Sequence, residues 1–120
     1  MAGIVFFRTA ARERVVEFYL ERLGFEVWLE QDAGCTILRH EDLKLGFCDA
    51  DSEDAVDTDG IVTVYYDTQA AVDETYEELA DDVATEEPRD NEEYDIYQFF
   101  AADPEGRTVE VQTFRHDLPE

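Results

Sequence analysis

Gly60-Ile61-Val62, followed by Val72, Glu74, Tyr76 and Glu78, restates a pattern the chain has already used. Gly3-Ile4-Val5, Val15, Glu17, Tyr19 and Glu21 lie 57 residues earlier, position for position. Both halves therefore read as a short strand leading into a helix that carries a tyrosine on its inner side. Seven identities at one offset point to a duplicated strand–helix unit. Two half-sheets built this way can enclose a cleft that neither builds alone, and that cleft is where function is sought.

Working outward from the first copy, residues 3–8 are an apolar run and read as a strand. Residues 11–23 place Val15, Val16, Phe18, Tyr19 and Leu23 at helical spacing, and Gly24 follows as a C-cap. Residues 25–29 are rich in aromatic and β-branched side chains and read as a second strand. After the turn Asp32-Ala33-Gly34, residues 35–39 and 43–48 form a hairpin around Glu41-Asp42. Residues 49–60 carry six acidic side chains in twelve positions and read as a solvated linker. The second copy repeats the order, with a strand over 60–66 and a helix over 68–82. Residues 83–85 read as the start of a strand, and residues 86–93, with Pro88, as a polar loop. Strands over 94–101 and 108–114 close the chain around the turn Asp103-Pro104-Glu105-Gly106. The pattern is βαβββ twice, an α+β fold.

The chain has 120 residues, enough for one domain with a real core. No run approaches the ~20 apolar residues of a membrane-spanning helix, and no secretory leader pattern is read at the N-terminus. Two cysteines are too few for a disulfide framework, which points to the cytoplasm. The 32 acidic and 9 basic residues give a net charge of −23, a field that repels nucleic acid and anionic membranes. Eight of the nine basic residues are Arg, and Lys44 is the single Lys. Such an acidic, lysine-poor surface reads as adaptation to high salt, where a Debye length of ~3 Å at molar concentration screens the self-repulsion.

Two passages resemble the vicinal oxygen chelate superfamily of glyoxalases, bleomycin-resistance proteins and extradiol dioxygenases. Glu17-Phe18-Tyr19 through Leu23-Gly24-Phe25-Glu26-Val27 resembles its helix-to-strand "FY…LGF" passage. Phe99-Phe100-Ala101-Ala102-Asp103-Pro104-Glu105-Gly106-Arg107-Thr108-Val109-Glu110-Val111 resembles its closing "F…DPDGN.IEL" hairpin. The resemblance implies two βαβββ modules forming a cup-shaped mixed sheet with helices on the outer face. Residues 1–120 would then be a single domain: module one at about 1–48, the acidic linker at 49–59, and module two at about 60–114. It also implies where a metal would sit in the metal-dependent members. Gly3 and Gly60 stand where the first-strand histidines would be, Lys44 or Gly46 occupies the fourth-strand place, and only Glu110 matches. A catalytic metal wants about three protein ligands, so no cofactor is expected. A divalent metal would lack support from the ligand positions. His40 and His116 fall at a hairpin tip and in the tail.

A two-residue turn at Glu41-Asp42 opposes His40 to Leu43, Arg39 to Lys44, Leu38 to Leu45, Ile37 to Gly46, Thr36 to Phe47 and Cys35 to Cys48. Strand period two then sets Thr36, Leu38, Leu43, Leu45 and Phe47 on an apolar face suited to a helix. Cys35, Arg39, Lys44 and Cys48 fall on the other face, a candidate cleft wall. Lys44 with Arg39 could contact an anion, or both could be solvated. As like charges directly opposed, they call for something negative nearby. Cys35 and Cys48 read first as small buried free cysteines, with a redox pair and a thiolate metal site as alternatives. Glu110 is the candidate for chemistry as a general base, the alternatives being a carboxylate paired with Arg39 or Lys44, or a solvated one. Val5, Phe7, Val62, Val64 and Tyr66 are expected to share the inward phase of the first strands and make the cup partly aromatic. The sequence lacks an EF-hand loop in the linker and a phosphate-binding glycine loop. The expectation is a small-molecule-binding homodimer, with a lyase or isomerase that uses Glu110 as the alternative.

Overall fold

The computed structural model describes residues 1–81, 83–84 and 86–119. It divides into two compact units, Met1–Thr58 and Asp59–Glu120. The first contains β1 (Val5–Thr9), α1 (Arg12–Leu23), β2 (Glu26–Gln31), β3 (Cys35–His40), β4 (Leu43–Asp49) and a 3₁₀ turn at Glu53–Ala55. The second contains β5 (Ile61–Tyr65), α2 (Gln69–Leu79), β6 (Arg89–Asn91), β7 (Ile96–Ala102) and β8 (Thr108–Phe114). Each unit is a βαβββ module with a four-stranded mixed sheet, ordered β1-β4-β3-β2 in one and β5-β8-β7-β6 in the other. The first strand of each module runs parallel to its last, and the remaining pairings are antiparallel. The fold is α+β.

Local chemistry explains the helix ends. Gly24 takes the left-handed conformation (φ 74°) and bonds back to the Tyr19 carbonyl, a stop signal that glycine adopts without steric cost. At the start of α2, the Thr68 hydroxyl accepts the Ala71 N–H at 3.1 Å, satisfying one of the helix's orphan donors. Each helix covers one face of its own sheet. Tyr19 stacks on Phe47 with ring centroids 5.2 Å apart, and Tyr76 meets Phe99 edge-on at 5.4 Å. The duplicated valines, Val15 and Val72, are both fully buried.

The β3–β4 register places all six residue pairs as the two-residue turn requires. The second module differs from the sequence reading. Its second strand, β6, lies in the expected polar loop, where Arg89, Asp90 and Asn91 pair with Gln98, Tyr97 and Ile96. This strand has no apolar alternation to reveal it, because side-chain bonds hold it: Asn91 to Gln98 at 2.7 Å and Arg115 to Asp90 at 2.9 Å. Of the strand expected at 83–85, Ala84 makes an isolated bridge to Ala101. Thr85, and Asp82 at the expected end of the second helix, lie outside the described residues.

The acidic linker is tied down. Asp57 N–H donates to the Arg8 carbonyl at 3.0 Å, the Asp57 carboxylate accepts the Arg8 N–H at 2.9 Å, and Ala50 N–H reaches the Thr9 carbonyl. The linker thus occupies the free edge of β1, which would otherwise expose unpaired backbone groups, while most of its acidic side chains stay in solvent. Among the described residues, no helix is long and apolar enough to cross a membrane.

Candidate functional site

The parallel register decides which face the first strands present. Val62 and Val64 stand beside Val109 and Val111, all buried beneath α2. Phe7 stands beside Phe47 and stacks on it at 5.8 Å. The inward phase expected for Val5, Phe7, Val62, Val64 and Tyr66 is therefore corrected: this phase belongs to the helix-covered side. Tyr66 lies just past the end of β5, its N–H bonded to the Gln112 carbonyl. The open face instead takes Phe6 in the first module and Ile61, Thr63 and Tyr65 in the second. Sequence alternation alone could not separate the phases, because both sets are largely apolar.

On the open face of the first sheet, the hairpin residues make their own contacts. Arg39 donates twice to Glu26, from Nε at 3.1 Å and Nη2 at 2.5 Å. The Lys44 ammonium lies 5.1 Å from the centroid of the Trp28 ring. Glu26 is thus the negative partner that the Arg39–Lys44 juxtaposition requires, and Trp28 sits where the β2–β3 register shifts between Val27 and Leu29. The Phe6 ring rests on Gly46, in space that a side chain at position 46 would fill. Cys35 and Cys48 form a disulfide, with an S–S distance of 2.08 Å and Cα atoms 4.1 Å apart. This corrects the reading of two buried free cysteines. Both residues are half-buried, and they occupy a close-spaced cross-strand position next to the Asp49 N–H to Gly34 carbonyl bond.

The second sheet's open face holds a concavity of about 520 Å³. A ladder of side-chain hydrogen bonds crosses it from strand to strand. Asn91 on β6 donates to the Gln98 carbonyl on β7, Gln98 donates its amide to Glu110 Oε2 on β8, and Thr63 on β5 donates to Glu110 Oε1 at 3.0 Å. Glu110 is half-buried, and its two oxygens each take one neutral donor. Beside it, Gln112 is only 8% exposed and lines the concavity. Phe100, Phe114 and Tyr94 supply aromatic walls. His116, exposed at the rim, leans its ring on Phe114 at 5.5 Å.

Of the residues expected to form a site, Glu110 lies on this face. Cys35, Arg39, Lys44 and Cys48 lie on the first sheet's open face, and Phe7, Val62 and Val64 lie under the helices. Gln98, Gln112 and Asn91 were missed in the sequence. Gln98 and Gln112 share the strand phase of Glu110, which was the available signal. Among the described residues, no three His, Cys, Asp or Glu side chains converge. On β5 the neighbour of Glu110 is Thr63, and Ile61 stands beside Thr108.

No family profile and no curated protein matches the chain. Solved structures do match it. A glyoxalase/bleomycin resistance protein/dioxygenase from Nocardioides superposes with a TM-score of 0.74 at 19% identity, over 100% of this chain and 87% of its own. A lactoylglutathione lyase from Agrobacterium tumefaciens gives 0.76 at 20% identity, over 96% and 94%. A glyoxalase/bleomycin resistance protein/dioxygenase family enzyme from Burkholderia phytofirmans gives 0.75 at 18% identity, over 92% and 95%. The chain has the glyoxalase/bleomycin resistance/dioxygenase fold. At these identities the likeness speaks for the fold and leaves the chemistry to the residues.

Proposed function

We propose that the chain is a small-molecule-binding protein of the glyoxalase/bleomycin-resistance type that works without the usual metal centre, and that its ligand sits on the open face of the second sheet. One observation carries this reading. Gln112, only 8% exposed, lines a concavity of about 520 Å³ together with Glu110, whose carboxylate is held by Thr63 and Gln98. The volume falls within the ~300–1,000 Å³ of small-molecule sites, where apolar walls surround a few placed polar groups.

The aromatic walls and the Asn91–Gln98–Glu110–Thr63 ladder supply those two ingredients. A homodimer in a high-salt environment remains the setting we propose, the latter supported by the net charge of −23. The argument for the cytoplasm from unpaired cysteines does not stand beside the Cys35–Cys48 disulfide. The test is a thermal-shift screen of a small-molecule library in molar KCl, run on the wild type and on Gln112→Leu. Compounds that stabilise the wild type and lose their effect in the variant support the reading. Stabilisation that is unchanged by Gln112→Leu, or no stabilising compound at all, overturns it.

A further inference from the structure

Resting on that reading, we infer that the ligand is a small organic cation, a protonated amine carried on an aromatic or apolar body. Glu110 brings a full negative charge to a half-buried position, and both of its hydrogen-bond donors, Thr63 and Gln98, are neutral. No cationic side chain pairs with it among the described residues. The two positively charged or ionisable neighbours at the rim are turned elsewhere. Arg89 is 68% exposed and faces Glu86 at 3.9 Å, and His116 is exposed with Nδ1 3.0 Å from the Asp117 carbonyl.

A carboxylate offers about four acceptor sites, so Glu110 keeps capacity for a charged donor. The Gln112 carbonyl oxygen can take a second N–H of the same ammonium group. Phe100, Phe114 and Tyr94 are ring surfaces on which a cation is attracted by the π-face as well as by apolar contact. The overall charge works in the same direction, favouring approach of cations and disfavouring carboxylates and phosphates. At molar salt that long-range field is screened within ~3 Å. Selectivity must then come from contact with Glu110 itself. A divalent metal would use the same charge but lacks further ligands.

Three probes of one shape separate these contributions: benzylammonium, benzyl alcohol and benzoate. Each is titrated against the full chain in 2 M KCl by ligand-observed NMR, on the wild type, Glu110→Gln and Gln112→Leu, with circular dichroism to verify folding. We expect benzylammonium to bind at least tenfold more tightly than benzyl alcohol, and benzoate more weakly than both. Glu110→Gln should remove the preference for the amine, so that amine and alcohol bind within about twofold of each other. If alcohol and benzoate bind as well as the amine but all are lost in Gln112→Leu, the site stands and the cation inference falls. If the amine's advantage survives Glu110→Gln, the inference also falls. If none of the three binds, both the inference and the site are overturned. Zinc added alone provides the remaining arm: a shift abolished by Glu110→Gln and competing with the amine would assign the carboxylate to a metal instead.

Discussion

The Asn91 amide nitrogen lies 2.7 Å from the carbonyl oxygen of Gln98, and that contact fixes which end of Gln98 faces Glu110. An amide side chain presents an acceptor and a donor at its two ends. With Asn91 donating to the carbonyl, the Gln98 NH₂ must turn toward the carboxylate, which accepts only. The ladder therefore has one direction, from β6 to β8, and its terminal group is the carboxylate of the open face. Asn91→Ala should free Gln98 to rotate while touching nothing else in the concavity. Asn91 Oδ1 also accepts the Glu93 N–H at 3.1 Å, so the expected stability loss is about 2 kcal/mol, the net worth of two hydrogen bonds, measured by denaturant unfolding. Ligand affinity should fall together with it, and Asn91→Asp, which cannot donate to Gln98 but can still accept the Glu93 N–H, should lose affinity likewise at about half the stability cost.

Tyr97 gives a pH-dependent prediction. Its hydroxyl donates to Asp73 at 2.6 Å on the helix side of the second sheet. That bond is the largest cause raising the phenol to about 12, followed by burial and by the negative charge of Asp73, with Gln69 and Arg115 opposing. The folded state therefore holds the phenolic proton more tightly than the unfolded chain, whose phenols titrate near 10. The stabilising contribution is complete below about pH 10 and is lost as pH rises through about 12. Tyr97→Phe should be less stable than the wild type by about 1 kcal/mol at pH 8, with the gap shrinking above pH 10. In an ultraviolet titration of the tyrosinate band, the wild type should show one late-titrating tyrosine that is missing from Tyr97→Phe.

Most of the fold was legible because two periodicities are plain in the chain. The helical spacing of Val15, Phe18, Tyr19 and Leu23, the glycine stop at Gly24, and the turn at Glu41-Asp42 each specify local geometry on their own. The hairpin register follows from the turn, so the facing of Cys35 and Cys48 was readable. Their bond was not, since facing residues can equally stay reduced. β6 was hidden because Arg89, Asp90 and Asn91 carry no apolar alternation and are held by partners remote in sequence. The first-strand phase failed for a different reason: Val62 and Val64, like Ile61 and Tyr65, are all credible core residues. Only pairing with β8 shows that the valines lie under the helix and that Thr63 stands beside Glu110. The site residues Gln98 and Gln112 are polar residues in strands, and nothing local marks a glutamine as buried.

The disulfide makes the first module testable by itself. Cys35 and Cys48 are 13 residues apart, and closing a loop of this size restricts the unfolded chain by up to about 3 kcal/mol in the loop-entropy account. The hairpin between them is already held by its own strand pairing, so reduction should weaken the protein without erasing its fold. Cys35→Ser/Cys48→Ser should lose about 1–3 kcal/mol and keep the wild-type circular dichroism spectrum. Mass spectrometry after alkylation under non-reducing conditions should find no modified cysteine in the oxidised wild type. Two alkylated cysteines there would show that the thiols remain free.

Salt should govern stability more strongly than any single substitution. With 32 acidic and 9 basic residues, like charges crowd both modules, and among the described residues the ion pairs that offset them are mostly at the surface. Arg107 is the exception. Its side chain is buried to 1% exposure and bonds Asp103 at 3.2 Å and Glu105 at 2.9 Å across the turn before β8. The Asp103 carboxylate also accepts the backbone N–H groups of Glu105 and Arg107. Raising ionic strength from about 0.1 M to about 1 M shortens the Debye length from ~10 to ~3 Å, which relieves surface repulsion but hardly reaches a buried pair. The melting temperature should therefore climb across that range in KCl for the wild type. Arg107→Met, which leaves Asp103 and Glu105 without their cation, should lose about 3 kcal/mol or more, and added salt should not restore it. A wild type whose melting temperature is flat or falls with KCl would mean that the acidic surface is not destabilising the fold through self-repulsion.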